Sequence, residues 1–173
     1  IETECLSAVM LQINSKKAAY ELSDVDENID MVFSYMDKVV GAMPGTDLII
    51  TPEFILHGCG NDHTGSLMKP DSLQMERLKN KCRQLRVWGI FGCLMDFDDG
   101  AYMYNCAVTI NDKGEIVNIY KKTNPWIPVE SSTPGDEIQV FEGPKGARLA
   151  TIICADGDYI ETWREAASKG ANV

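Results

Sequence analysis

The sequence has no apolar run approaching the about 18–20 residues that a membrane-spanning helix needs, so such a helix is excluded from these residues. It has no cluster of lysine and arginine: 16 basic residues are scattered among 26 acidic ones, for a formal net charge of −10. A nucleic-acid binder needs a basic surface to neutralise phosphates, so that class is excluded as well. Histidine occurs only twice. The opening Ile1-Glu-Thr-Glu4 is acidic, unlike the basic start of a secretory leader. No internal repeat and no low-complexity segment is visible.

What is present is an ordinary globular composition, 45% hydrophobic and 24% charged, enough for one domain with a packed core. Six cysteines stand at positions 5, 59, 82, 93, 106 and 154. Cys5, Cys93 and Cys106 fall in strand-like runs and Cys82 in a helical one, the usage expected where cysteine serves as a small hydrophobe. Free thiols and a cytoplasmic setting follow as expectations.

Leu6 to Ile13 reads as a buried strand. Asp24-Val-Asp-Glu27 fits a capping box, and Ile29, Val32, Phe33, Met36, Val39, Val40 and Met43 then recur at helical spacing. Gly41 and the Pro44-Gly45 turn close that helix. Asp47 to Thr51 is a short apolar run, hence a buried and parallel strand. A second helix spans 71–86 with Leu73, Leu78, Cys82 and Leu85 on one side, and Val87 to Met95 is a strand. Ala101 to Ile110 and Glu115 to Tyr120 flank the turn Asn111-Asp-Lys-Gly114. Val140-Phe141 and Arg148 to Cys154 flank Gly143-Pro-Lys-Gly146, and a last helix starts near Tyr159. The order β-α-β-α-β-β-β-β-β-α predicts a layered α/β domain with a mixed sheet.

In such sheets functional groups gather at the carboxyl ends of strands. Glu53 follows the apolar run Leu48-Ile-Ile-Thr-Pro52, Cys154 follows Leu149-Ala-Thr-Ile-Ile153, and Lys122 lies just past Ile116 to Tyr120. A lone cysteine is ordinarily a buried structural thiol, but Cys154 stands between a buried strand and a helix. A helix N-terminus aimed at it would lower its pKa and favour thiolate, in an arrangement mechanically like a nucleophile elbow. Glu53 would ordinarily be a surface acid; held rigidly after a strand, it could act as a general base. Lys122 beside Lys121 would ordinarily be a solvated charge, and spacing alone does not raise it above that.

The three fit together in a family. Thr51-Pro-Glu-Phe54, Tyr120-Lys-Lys-Thr-Asn-Pro-Trp-Ile-Pro-Val-Glu130 and Ile152-Ile-Cys-Ala-Asp-Gly157 resemble the carbon-nitrogen hydrolase (nitrilase) superfamily, most of all its aliphatic amidase and formamidase branch. The likeness runs from the first strand to the last residue and includes Pro134-Gly135, Glu142-Gly-Pro-Lys-Gly146 and Trp163-Arg164. It implies a four-layer α-β-β-α sandwich built from two similar halves. It also implies a Cys154 nucleophile, a Glu53 general base, a Lys122 cation for the oxyanion, and Glu130 as a second glutamate holding substrate and catalytic groups in place. Phe54, Trp126 and Ala155 are expected at the substrate, and small linear amides are the implied substrate class. A nitrilase, a carbamoylase, a glutaminase domain or a catalytically inert relative are the alternatives. No metal or organic cofactor is implied, no nucleic-acid or membrane partner, and homo-oligomers are expected. The chain departs from the family pattern at Phe54, where tyrosine is frequent, at Ala155, where a larger or polar residue is usual, and at Ile160, where proline is usual.

Other candidates are weaker. His57, Cys59 and His63 match no standard zinc spacing and are read as a glycine-rich solvated loop. Asp96-Phe-Asp-Asp99 lacks the glycine and distal glutamate of a calcium loop and is read as a turn. Trp88, Trp126 and Trp163 are read as packing residues, with Trp126 also between Lys122 and Glu130. Only the first half of the family's sandwich and a little more is matched, and Val173 reads as the opening of another strand. The chain is therefore expected to be part of a longer one.

Overall fold

The computed structural model describes residues 5–60, 62–97, 100 and 102–173. The acidic start Ile1–Glu4, Asn61 of the His57–His63 segment, Asp98 and Asp99 of the acidic triplet, and Ala101 lie outside the described residues.

A five-stranded sheet carries the fold in the order β1 (Ala8–Met10), β2 (Leu48–Ile50), β3 (Trp88–Met95), β4 (Tyr104–Ile110) and β5 (Ile116–Lys121). β1, β2 and β3 run parallel, as helical crossovers between them require, and β4 and β5 return antiparallel. The β4–β5 hairpin closes as expected: Gly114, at φ +75°, donates to the Asn111 carbonyl at 2.9 Å. A second antiparallel pair joins β6 (Val140–Glu142) to β7 (Arg148–Ala150).

The large sheet is buried on both faces at its centre, and its side chains divide with period two. Ile49, Phe91, Cys93, Met95, Cys106, Val108 and Ile110 face helices α1 (Leu22–Ala42) and α2 (Leu73–Leu85). Leu48, Ile90, Ala107 and Tyr120 face the other way, into a cluster with Leu149 and Ile153 from β7 and the residues beyond it, and Ala166 of α3 (Ile160–Ser168). Helices on one side and a second sheet with α3 on the other are the layers of an α-β-β-α arrangement. α1 buries Val25, Ile29, Val32 and Met36, one stripe at helical spacing.

Several boundaries differ from expectation. α1 starts earlier: Asp24 is not the cap but the acid one turn inside, accepting from the Tyr20 and Glu21 N–H groups at 2.9 and 3.2 Å. Leu73 is exposed, because the α2 stripe runs through Met75, Leu78 and Cys82 and Leu73 lies off it. β1 is shorter than the apolar run and is not the buried strand expected: Met10 is 76% exposed, so burial on both faces holds for the central strands β3 and β4 and not for β1. Cys5 precedes it, exposed and outside any strand. β7 ends at Ala150, and the chain reaches Cys154 without further ladder bonds. After α3 the chain returns alongside β7: Val173 N–H donates to the Arg148 carbonyl at 3.2 Å and its carbonyl accepts from Ala150 at 3.0 Å, a parallel pairing. Among the described residues, no helix is long and apolar enough to cross a membrane.

Candidate active site

Glu53 leaves the end of β2 on a backbone pinned to β3. Thr51 donates its hydroxyl to the Ile90 carbonyl at 2.9 Å and accepts from the Gly92 N–H at 3.2 Å. Gly92 has to be glycine here: a Cβ on it would lie 2.3 Å from the Pro52 oxygen and 2.9 Å from the Glu53 Cα. The turn continues through Phe54 at φ +58°, a left-handed conformation costly for a bulky residue.

Lys122 follows β5 directly, and its backbone N–H donates to the Asn105 carbonyl at 2.8 Å. Neighbours along an extended chain point to opposite faces, and the two lysines obey this. Lys121 sets its ammonium over the rings of Phe97 and Tyr104, 4.3 and 4.2 Å from their centroids. Lys122 turns inward, 1% exposed, with its Nζ 2.9 Å from Glu53 Oε1 and 2.8 Å from Glu130 Oε1. Burial opposes its charge, and the two carboxylates overcome that, holding its pKa above the ordinary 10.5. Glu130 is further fixed by the Trp126 N–H, which donates to Oε1 at 2.6 Å.

Cys154 follows the run from β7 and stands at φ +45°, a strained turn of the kind that exposes a nucleophile. Its thiol lies beside the Glu53 carboxylate and the Ala155 N–H, both of which act on its titration. The expected helix N-terminus is not at the sulfur. A short 3-10 turn, Cys154–Asp158, intervenes and α3 begins only at Ile160, whereas a helix dipole acts within about one turn. The thiol pKa is accordingly raised from its ordinary 9.0, not lowered: partial burial and the Glu53 charge raise it, and Lys122 opposes them. Thiolate is the form that reacts with alkylating agents. Alkylation of Cys154 by iodoacetamide, located by peptide mass, should therefore accelerate as pH climbs through an apparent pKa above 9.0. A rate already at its plateau by neutral pH would contradict this.

Asp156, fully buried, ties the turn to the lysine segment. Its Oδ2 accepts from the Tyr120 hydroxyl at 2.7 Å and the Ile153 N–H at 3.0 Å. Its Oδ1 accepts from the Thr123 hydroxyl at 2.9 Å and the Asn124 N–H at 2.7 Å.

Glu53, Lys122, Glu130 and Cys154 are thus brought together from three connections, Lys122 and Glu130 sharing the one between β5 and β6. Phe54 is half-buried beside Glu53, and Ala155 contributes its N–H. Trp126 meets the site through its backbone, and its ring is 60% exposed; Trp163, 52% exposed, is no core residue either and donates its indole N–H to the Gly157 carbonyl at 2.9 Å. Trp88 packs against the core, partly buried. His57 is not in a solvated loop. It is fully buried, its Nδ1 accepting from Leu94 N–H at 3.1 Å and its Nε2 on the Ser66 carbonyl at 2.9 Å, and burial pushes its pKa down to about 4. With both nitrogens engaged it pins its own segment to β3 and to the segment of Ser66.

The carbon-nitrogen hydrolase family model matches residues 8–173, nearly the whole chain. The chain belongs to the carbon-nitrogen hydrolase family. A formamidase of Allorhizobium ampelinum is 39% identical over 152 residues, 87% of this chain and 45% of its own length. A formamidase of Bradyrhizobium diazoefficiens is 38% identical over 170 residues, 97% of this chain and 49% of its own. The chain thus spans about half the length of these relatives. Among solved structures, a carbon-nitrogen hydrolase from Helicobacter pylori superposes with a TM-score of 0.83 at 20% identity, covering 96% of this chain and 57% of that one. Nit3 of Saccharomyces cerevisiae, a member of branch 10 of the nitrilase superfamily, gives 0.84 at 17% identity, with 96% and 61% covered. The chain therefore forms part of the nitrilase-type sandwich expected from sequence.

Asn105, Asp156 and Gly92 are the site residues that the sequence did not announce. Asp156 stands two residues past Cys154, and only its full burial separates it from the exposed acids around it. Asn105 and Gly92 lie inside apolar strands with nothing local to mark them; a polar residue and a glycine interrupting such runs were the available signals.

Proposed function

We propose that the protein containing this chain hydrolyses small linear amides to a carboxylic acid and ammonia through a thioester on Cys154. The observation that carries this is one buried ammonium, Lys122, shared by two carboxylates, one of which also neighbours the Cys154 thiol. Glu53 takes the thiol proton as the sulfur attacks the amide carbon, which explains why no preformed thiolate is needed. The carbonyl oxygen gains the charge. Two of the three ammonium hydrogens of Lys122 serve Glu53 and Glu130, and the third is left for that oxygen, beside the Ala155 N–H. Collapse breaks the carbon–nitrogen bond, and the nitrogen leaves as ammonia with the proton held on Glu53. Water, deprotonated by Glu53, then attacks the thioester; the acid departs and the thiol is restored.

The formamidase relatives point to the short end of the amide range. The relatives extend well beyond the matched half, so the activity proposed is that of the protein containing this chain. It assembles as homo-oligomers in the cytoplasm, a setting in keeping with six free cysteines. The test is ammonia release by the full-length protein from formamide, acetamide, a nitrile, a carbamoyl amino acid and glutamine. Release from formamide or acetamide at least tenfold faster than from the rest is expected. Release from the others alone, or from none, overturns the proposal.

A further inference from the structure

Asn105 sits in β4, directly across from Lys122, and is fully buried. It touches three of the four groups just described. Its backbone carbonyl takes the Lys122 N–H at 2.8 Å. Its side-chain nitrogen donates to Glu53 Oε1 at 2.7 Å and to Glu130 Oε2 at 3.1 Å. Lys122 bridges the same two carboxylates from the other side, so lysine, glutamate, asparagine and glutamate close a ring.

The amide orientation follows from chemistry. Turned the other way, it would set an oxygen lone pair against two carboxylates, which accept only. Turned as it is, its Oδ1 is buried with no partner. Buried polar atoms are satisfied as a rule, and an asparagine retained merely to hold strands together would bond both ends of its amide. This one leaves its oxygen unserved in order to spend both N–H groups on the carboxylates. A lysine alone would attract the two glutamates without fixing their separation; a planar amide with two hydrogens at a set angle fixes it.

We propose that Asn105 is a positioning residue, a neutral clamp that holds Glu53 and Glu130 at a fixed spacing around the Lys122 ammonium. The inference rests on the amidase reading for its kinetic consequence, but not for its geometry.

The test is Asn105→Asp in the full-length protein, with Asn105→Ser beside it. The aspartate is nearly isosteric, and when ionised it brings a third carboxylate against Glu53 and Glu130, with Lys122 as the cation facing it and Cys154 next to Glu53; Lys121 lies on the opposite face. Protonated, it can still donate once. At pH 8 its kcat should fall ~10²-fold, the scale of a small misplacement of reacting groups, with KM changed much less. The loss should shrink towards pH 6, tilting the pH–rate profile to the acid side. Asn105→Ser, neutral and small, should lose ~10-fold without that tilt, since it keeps at most one donor. Iodoacetamide alkylation of Cys154 is followed in parallel, and its apparent pKa should move upward in the aspartate variant. If the unaltered protein releases ammonia from no amide, the amidase reading fails while the alkylation profile still decides on the clamp. Soluble variants with kcat within threefold of the parent, parallel pH–rate profiles and unmoved alkylation would overturn it. So would a folded Asn105→Ser variant of unchanged kcat and alkylation profile should the aspartate variant not fold.

Discussion

Replacing Cys154 with alanine should abolish ammonia release, by ~10⁵-fold or more, the scale on which removal of a covalent nucleophile acts. The fold should survive. Cys154 is exposed in this chain, so the stability change should stay within about 1 kcal/mol. Its φ of +45° adds a finer expectation. Alanine keeps the strain that any Cβ suffers in the left-handed region, and glycine removes it. Cys154→Gly should therefore be equally inactive yet melt no lower than Cys154→Ala. The other cysteines divide by burial: Cys82, Cys93 and Cys106 are buried thiols whose loss should register in melting temperature, while Cys5 and Cys59 are exposed and should register in neither. Turnover with formamide and calorimetric melting, measured on the set, check all of this. Substantial ammonia release by Cys154→Ala would remove the nucleophile assignment.

The second large effect is at Lys122. Lys122→Gln should lose ~10²–10³-fold in kcat, since the donor for the developing oxyanion loses its charge. The same change leaves Glu53 and Glu130 without their shared cation. Breaking a buried pair costs about 3–5 kcal/mol, but Glu53 is 24% exposed, and solvent screening should bring the stability loss below that range. Lys121→Gln is the control. It removes only ring contacts with Phe97 and Tyr104, worth about 0.5–1 kcal/mol at an accessible position, and turnover should hardly change. Equal kinetic losses at the two positions would mean that the ammonium of Lys122 does not reach the reacting oxygen.

The contrast between these lysines shows what could be read from sequence. The chain reverses its side chains at each residue of an extended segment, so Lys121 and Lys122 must part to opposite faces, but Ile119 and Tyr120 pack on different faces as well, and only the family likeness picks Lys122 as the inward one. The order of strands and helices was legible because hydrophobic periods of two and of about four residues are local properties. Glu53, Lys122 and Cys154 were legible as strand-end residues, and only the family likeness joined them. What stayed hidden depends on distance in space. Cys154 was expected beside a helix dipole because a helical pattern follows it; the intervening 3-10 turn keeps that helix away, and partial burial with the Glu53 carboxylate, far earlier in the chain, reverses the sign of its pKa shift. His57 looked solvated among glycines, yet the Leu94 and Ser66 backbones enclose it. Asn105 looks like an interruption of an apolar strand until its partners at Glu53 and Glu130 are known.

Asp156 bears on how the site comes into being. Its carboxylate gathers donors from the end of β5, from the segment after Lys122 and from the residue before Cys154. Separating any one of these segments takes partners from a fully buried carboxyl group, so opening there is coupled across all three. Sulfur and ammonium then occupy their mutual positions before any substrate arrives. The entropy of assembling them is spent when the chain folds, and a ligand as small as a short amide, with few atoms to contribute binding energy, is not asked to supply it.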